Sequence, residues 1–260
     1  MSSAPAEEKE ELAEGTLLSH LVELRSRLLK SFAAIMIVFV PLVPFAQKVF
    51  EFASGPLRDA LPGGQLISTR PIDVVFVPFK LTFFVAIFIA MPVILYQAWA
   101  FVAPGLYRRE KRFALPLLMS SILLFYAGVA FAYYVVFPLI FTFVVGLAAS
   151  SEAINVLPDI ADYLSLLITL VLAFGLAFEV PVATVLMVWT GLTTPQKLAK
   201  ARPYVFLMAF VIGMFLTPPD MISQTLLAVP VYLLYEIGIL MARLFSNARD
   251  KRKNEAVAAE

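Results

Sequence analysis

An all-α integral membrane protein of six transmembrane helices is the fold class this sequence predicts, and three observations predict it. Hydrophobic residues fill 61% of the 260 positions and aromatic residues 13%, with a mean hydropathy of +0.87; that is more apolar surface than a soluble domain of this length can bury. The apolar residues gather into six runs, near 28–46, 74–102, 113–145, 163–190, 203–217 and 221–241. At about 1.5 Å per helical residue, runs of this kind are matched to the roughly 30 Å of hydrocarbon in a bilayer. Third, the few charges cluster between the runs rather than spreading along them, with Lys30, Lys80, Glu179 and Glu236 as the exceptions; between runs ionised groups keep their hydration.

The elements follow in order. Residues 1–19, "MSSAPAEEKEELAEGTLLS", are polar and acidic and lack the basic start and short apolar core of a cleavable signal peptide, so a retained cytosolic tail is expected. The six-helix domain covers 20–245 and a second cytosolic tail 246–260. The connections 46–73 and 146–162 contain "SGPLRDALPGGQ" and "SEAINVLPDI", whose Gly, Pro and Asn mark turns; they are expected to form a periplasmic cap of loops. Lys80, at the outer end of the second run, is read as snorkelling to the headgroups. The third run is uncharged from Phe113 to Ser151, long enough to tilt, with bends expected at Pro116 and Pro138. The fifth, from Pro203 to Thr217, spans only about 22 Å as a helix and should thin the bilayer beside it.

Six spans place both termini on one side. "LYRREKR" carries Arg108, Arg109, Lys111 and Arg112, and "TPQKLAKARP" carries Lys197, Lys200 and Arg202. In the alternate connections, acids offset or replace the bases. The excess of bases puts both termini in the cytosol, in a multi-pass protein with N-in and C-in topology.

Several function classes are excluded by what is missing. A net charge of +1 gives no footprint for nucleic acid. There is no cysteine and a single histidine, His20, so thiolate and His-His metal sites are ruled out. No nucleophile elbow, H-E-x-x-H or phosphate-binding loop occurs. The sequence therefore predicts no catalytic residue, metal or cofactor, and a protein that is not an enzyme. No inverted pair of broken helices stands out either.

Five carboxylates carry what chemistry remains: Glu23, Glu110, Glu179, Asp220 and Glu236. Glu23 stands four residues before Arg27 and suits an intrahelical ion pair. Glu110 is the one acid among four bases, a solvated neighbour on the plainest account. Asp220, after two prolines, suits a helix cap, and Glu236 suits snorkelling near the end of the last run. Glu179 is different, since it lies about 24 Å of helix from Tyr163 and about 16 Å from Thr190, well inside the hydrocarbon. A carboxyl there acts as a polar, hydrogen-bonding group in a partly hydrated concavity. Gly175, one turn earlier, would leave room for water or a partner's backbone, and Pro181 frees the carbonyl of Ala177.

The strings "HLVELRSRLL", "WAFVAPGLYRREKR", "FYAGVAFAYYVVFP", "FGLAFEVPVA" and "LTPPDMISQTLLAVP", in this order over roughly residues 16–245, resemble the TatC family, the multispanning core of the twin-arginine protein translocase. The resemblance implies a receptor for twin-arginine signal peptides on folded proteins, in the bacterial cytoplasmic (inner) membrane, assembling with the single-span subunits TatB and TatA, with membrane lipids and with further copies of itself. It implies that Glu23 and Glu110 form the twin-arginine site, with Leu21, Arg25 and Phe101 nearby. It further implies that the fifth span meets TatB, that the sixth helps dock TatA, and that Asp220 and Gln224 matter for transport. A guanidinium offers paired planar donors that suit a carboxylate and that lysine lacks. Because 105–112 is net positive, recognition must act at short range, inside a Debye length of about 8 Å, with the bases free to hold lipid phosphates. The competing class is a proton- or ion-coupled small-solute transporter, with Glu179 as the titrating group and Asp220 at an outer gate. Binding of a twin-arginine peptide separates the two.

Overall fold

The structure, a computed structural model, describes residues 4–55, 67–102, 111–149, 159–216 and 221–258. Those residues are helical almost throughout. Helix α1 is Ala4–Leu42, followed by a 3-10 turn, Val43–Phe45, and the short helix α2, Ala46–Ala53. Helix α3 is Asp73–Val102. The third run holds α4, Lys111–Phe131, a π-helical turn, Ala132–Val136, and α5, Phe137–Ala149. The fourth holds α6, Ile160–Ala177, and α7, Val180–Trp189. The short α8, Pro195–Lys200, leads into α9, Arg202–Leu216, and α10 is Met221–Ala258.

Among the described residues, five stretches are long and apolar enough to cross a membrane, Ser19–Ala53, Asp73–Phe101, Leu115–Phe143, Ile160–Trp189 and Gln224–Leu244, while Arg202–Leu216 is a shorter apolar helix. The expected short fifth element is thus present. Helices α1 and α10 run well beyond their apolar runs, because the flanking tails are rich in Ala, Glu, Lys and Arg, all good helix formers. Hydropathy fixes where a helix is apolar, and propensity fixes where it ends.

Interruptions fall at prolines. Pro138 has no N–H to give the carbonyl of Tyr134, and the widened turn lies just before it, with the Phe137 N–H reaching the Ala132 carbonyl. Helix α4 continues through Pro116, so no break accompanies that residue. In the fourth run Pro181 follows a tight turn at Phe178–Glu179, where the Glu179 N–H bonds Leu176 O at 3.1 Å and Ala183 N–H bonds Glu179 O at 2.9 Å.

The packing forms two compact units, Met1–Phe45 with Thr82–Leu118, and Ala46–Leu81 with Met119–Glu260. In the first, three contacts show α1 and the later part of α3 antiparallel: Phe39 meets Phe83 edge-on with centroids 5.5 Å apart, Arg27 meets Gln97, and His20 stacks on Phe101 at 4.3 Å. Positions advance along one helix as they recede along the other.

In the second unit the core gathers where α4 and α5 meet α6, around the fully buried Phe125, Phe137, Ile140, Leu170 and Phe174. Gly128 makes this close crossing possible, since a Cβ there would lie 2.5 Å from the Phe174 carbonyl oxygen. Residues 56–66 and 150–158 of the two outer connections lie outside the described residues, but the described ends are joined. Ile67 and Asp159 form a parallel bridge, with Ile160 N–H bonding Ile67 O at 2.9 Å. The Asp159 carboxylate accepts from the Thr69 N–H and hydroxyl at 2.9 and 2.7 Å, and from Ala161 N–H at 2.8 Å as the N-cap of α6. Tyr133 and Tyr163 hydroxyls donate to the Phe52 and Ala53 carbonyls at 2.9 and 3.3 Å. Lys80 is not simply snorkelling: its Nζ donates to Ser165 Oγ at 3.1 Å.

The Thr69 hydroxyl, then the Thr69 and Ala161 amides, hold the Asp159 carboxyl at a pKa of about 2, below its usual 3.8. A depressed folded-state pKa contributes stability that is complete above the ordinary pKa and is lost only as pH falls through the folded one. Amide hydrogen exchange of 67–70 and 159–163, corrected for intrinsic rates, should therefore be unchanged from pH 8 to 5. Asp159→Ala should raise exchange there while leaving the helices protected, and equal protection in the variant would show that the carboxylate does not hold the loops.

Candidate functional site

Residues at i, i+3 and i+4 of a helix share a face, and in "HLVELRSRLL" this places His20, Glu23 and Arg27 together. That face of α1 meets α3. Arg27 donates from Nε and Nη2 to Glu23 Oε1 at 2.9 and 2.5 Å, and from Nη1 to Gln97 Oε1 at 3.3 Å. The expected intrahelical ion pair is therefore present, and Gln97 fixes the guanidinium from the neighbouring helix. His20 and Phe101 close the same side by stacking.

The Glu23 side chain keeps 37% of its surface exposed, and its Oε2 has no hydrogen bond among the described residues. One carboxylate oxygen is thus engaged by the chain's own guanidinium, and the other remains available. A carboxylate has lone pairs for more than one such partner, so a second guanidinium can be added without breaking the first pair.

The candidate set divides around α1. Two residues on a helix lie about 200° apart, so Leu21 and Arg25 stand opposite Glu23. Leu21 is 59% exposed, and it shares its outward face with Arg25. Phe101 belongs with Glu23, through His20. Glu110 lies outside the described residues, as does Asp220.

Glu179 occupies the turn between α6 and α7. Its Oε2 accepts a short hydrogen bond from the Ser121 hydroxyl of α4, while Oε1 is buried with no partner among the described residues. Ser121, Phe125 and Gly128 share one face of α4 and meet Glu179, Gly175 and Phe174 in turn. The room expected at Gly175 is not free for water: a Cβ there would be 2.7 Å from Phe125 Cε2. The glycine accepts an aromatic ring, and that ring packs α4 against α6 one turn before Glu179.

Gln224 also has a defined partner, donating from Nε2 to the Phe210 carbonyl at 2.7 Å and so tying α10 to α9. A third polar cluster was not evident from sequence. Arg202 Nη2 donates to Glu236 Oε2 at 2.7 Å, and Tyr232 donates to Glu236 Oε1 at 2.9 Å. Tyr235 donates to Leu198 O at 2.8 Å beside a small core of Leu198, Tyr235 and Ile239. Glu236 is a paired anchor between α9 and α10 rather than a snorkelling acid. The available signal was Tyr232 one turn before Glu236; the partner, 34 positions away, gives no periodic signature.

Comparison with known proteins shows the family. The sequence profile of the family described as "Sec-independent protein translocase protein (TatC)" matches residues 19–230. The chain is 52% identical over 230 residues to the Sec-independent protein translocase protein TatC of Escherichia coli (strain K12), covering 88% of each. It is 50% identical over 245 residues to the protein of the same name from Azotobacter chroococcum mcd 1, covering 94% of this chain and 93% of that one. The fold matches a crystal structure of the twin arginine translocase receptor TatC with a TM-score of 0.78 and 41% identity, over 86% of this chain and 98% of the other.

The Ser121–Glu179 contact yields a stability test. Glu179→Gln keeps an oxygen to accept from Ser121 and should leave thermal unfolding in detergent close to wild type. Glu179→Leu removes the bond and should cost about 0.5–2 kcal/mol, the range for a hydrogen bond between membrane helices. Equal destabilisation by both substitutions would show that the ionised carboxylate, not the hydrogen bond, is what the fold uses.

Proposed function

Because the chain belongs to the TatC family of Sec-independent protein translocase proteins, we propose that it is the receptor for twin-arginine signal peptides, with Glu23 and Glu110 as the carboxylates that take the arginines. The chain is a multi-pass membrane protein and a component of the twin-arginine translocase, in the class of transport proteins rather than catalysts. The coupled-solute transporter gains no support from this membership and is set aside.

One observation carries the assignment of Glu23. The site already holds a guanidinium, that of Arg27, in two-donor contact with one oxygen, and the same carboxylate is partly exposed with its other oxygen unbonded among the described residues. Geometry that accepts one arginine suits a second. The aromatic pair His20–Phe101 offers a flat apolar wall beside it, on which the stem of an arginine can lie. Glu110, eight residues after the end of α3 in sequence, is the second carboxylate of the proposal. Leu21 and Arg25 border the site from the opposite face of α1.

The remaining assignments rest on the family and on physical fit. The protein resides in the bacterial cytoplasmic membrane with both termini in the cytosol, which the bases of 108–112, 197–202 and the C-terminal tail favour. The single-span partners TatB and TatA meet α9 and α10, with Asp220 and Gln224 near their junction, and copies of the chain associate in the receptor complex. At about 22 Å, α9 is shorter than the hydrocarbon it crosses, so the bilayer beside it thins where a folded cargo has to pass.

Twin-arginine peptide binding to the detergent-solubilised protein tests the proposal. Glu23→Gln and Glu110→Gln should each weaken it about tenfold or more, the range for a lost hydrogen bond to a charged group. Binding of a twin-lysine peptide should change much less. Unaltered affinity in both correctly folded variants would place the site elsewhere.

A further inference from the structure

Helix α1 carries a second surface, adjoining the Glu23 face and turned about a quarter of the way round the helix from it. Val22, Arg25, Ser26, Leu29, Lys30 and Ala33 line an open groove of about 450 Å³. All six are exposed, and they fall within little more than three turns of one helix. Arg27 on the other side is held by Glu23 and Gln97. Arg25 and Lys30, by contrast, make no ion pair or hydrogen bond among the described residues. Two unpaired cations therefore flank a hydroxyl across about 7.5 Å of helix.

Below Lys30 the charges stop. The next charged residue along the chain is Lys48, and the groove continues as an apolar stripe of Leu29, Ala33, Ile37 and Val40, with Leu29, Ile37 and Val40 56%, 73% and 61% exposed. The small Ala33 keeps the stripe hollow. The surface is thus graded along the helix, cationic and hydroxyl-bearing at one end and bare hydrocarbon at the other.

We propose that this groove is a binding site for one anionic phospholipid, its phosphate held between Arg25, Lys30 and Ser26 Oγ and one acyl chain lying along Leu29, Ala33, Ile37 and Val40. A phosphodiester gives each cation a charge-assisted hydrogen bond. Lys30, five residues deeper than Arg25, reaches back toward the headgroup plane on its flexible stem. Charge complementarity selects a lipid over an apolar partner helix, which would leave both cations buried without counter-ions. Arg25 therefore serves the lipid from the side of the groove that turns away from Glu23. The site stands independently of the peptide-binding proposal, since lipid retention is read without peptide.

The test is native mass spectrometry of the full chain from mixed micelles with phosphatidylglycerol or phosphatidylcholine of identical acyl chains. The unmodified protein should retain one phosphatidylglycerol in preference to phosphatidylcholine. The double variant Arg25→Gln/Lys30→Gln should weaken phosphatidylglycerol binding about 30-fold, since each basic residue at an anionic surface contributes about fivefold. The variant Arg25→Lys/Lys30→Arg should keep the preference. Inorganic phosphate at matched concentration should not displace the lipid, because it lacks the acyl chain. Equal retention of the two lipids by the unmodified protein would overturn the proposal. So would displacement by phosphate alone, which would mark a free-anion site. Undiminished phosphatidylglycerol retention in the neutralised variant, with its oligomeric state altered instead, would assign the groove to contact between copies of the chain.

Discussion

Hydrocarbon can neither donate nor accept a hydrogen bond, so a polar side chain inside it must find its partner in the protein. The placement of polar groups in this chain follows from that constraint. Within the larger unit, Ser121 reaches Glu179 from α4 to the α6–α7 turn, Lys80 reaches Ser165 from α3 to α6, Gln224 reaches the Phe210 carbonyl from α10 to α9, and Arg202 reaches Glu236 from α9 to α10. Each joins two helices. Apolar packing between helices in lipid tolerates sliding and rotation, because lipid tails are as apolar as leucine. A directional bond fixes register. The same logic places the glycines, where Gly128 and Gly175 let α4 and α6 close until Ser121 meets Glu179.

Legibility in the sequence divides along the same line. Six apolar runs gave the helices and the short fifth element, because apolar length is a one-dimensional property and hydrocarbon thickness is fixed. Glu23 and Arg27 were legible as a pair because helical neighbours lie four apart. Lys80 and Glu236 were read as snorkelling because their partners lie 85 and 34 positions away, and no periodicity links residues so far apart. Gly175 was assigned to water because a sequence shows an absent side chain but not the ring of Phe125 that fills its place. Glu110 and Asp220 owe their roles to the family resemblance alone. The extent of α1 and α10 was missed for another reason: charged helix formers continue a helix past the membrane, where hydropathy reads only a tail.

Helix α1 gathers the consequences for function. Its inner face carries Glu23 with a resident guanidinium, locked by Gln97 and walled by His20 and Phe101. Its exposed flank carries Arg25 and Lys30, unpaired among the described residues, next to an apolar stripe. On the two proposals the faces sort arginines by partner: Arg27 pairs with the carboxylate proposed to receive a signal peptide, and Arg25 lines the groove proposed for lipid phosphate. An acid with its own counter-ion attached is a weak long-range lure, which suits a receptor whose sequence at 105–112 is net positive. Selection then rests on contact geometry, where a planar, forked donor outperforms a point charge.

The central claim is that Glu23 recognises a peptide arginine by direct contact, and a double-mutant cycle measures it most directly. Affinities are compared for the unmodified protein and Glu23→Gln, each with a twin-arginine peptide and with peptides carrying a single Arg→Gln change. Direct contact predicts a coupling of about 1–3 kcal/mol with one of the two arginines, the size seen between groups that share a bond. Coupling near zero with both arginines, in a protein that still binds the peptide, would contradict the account.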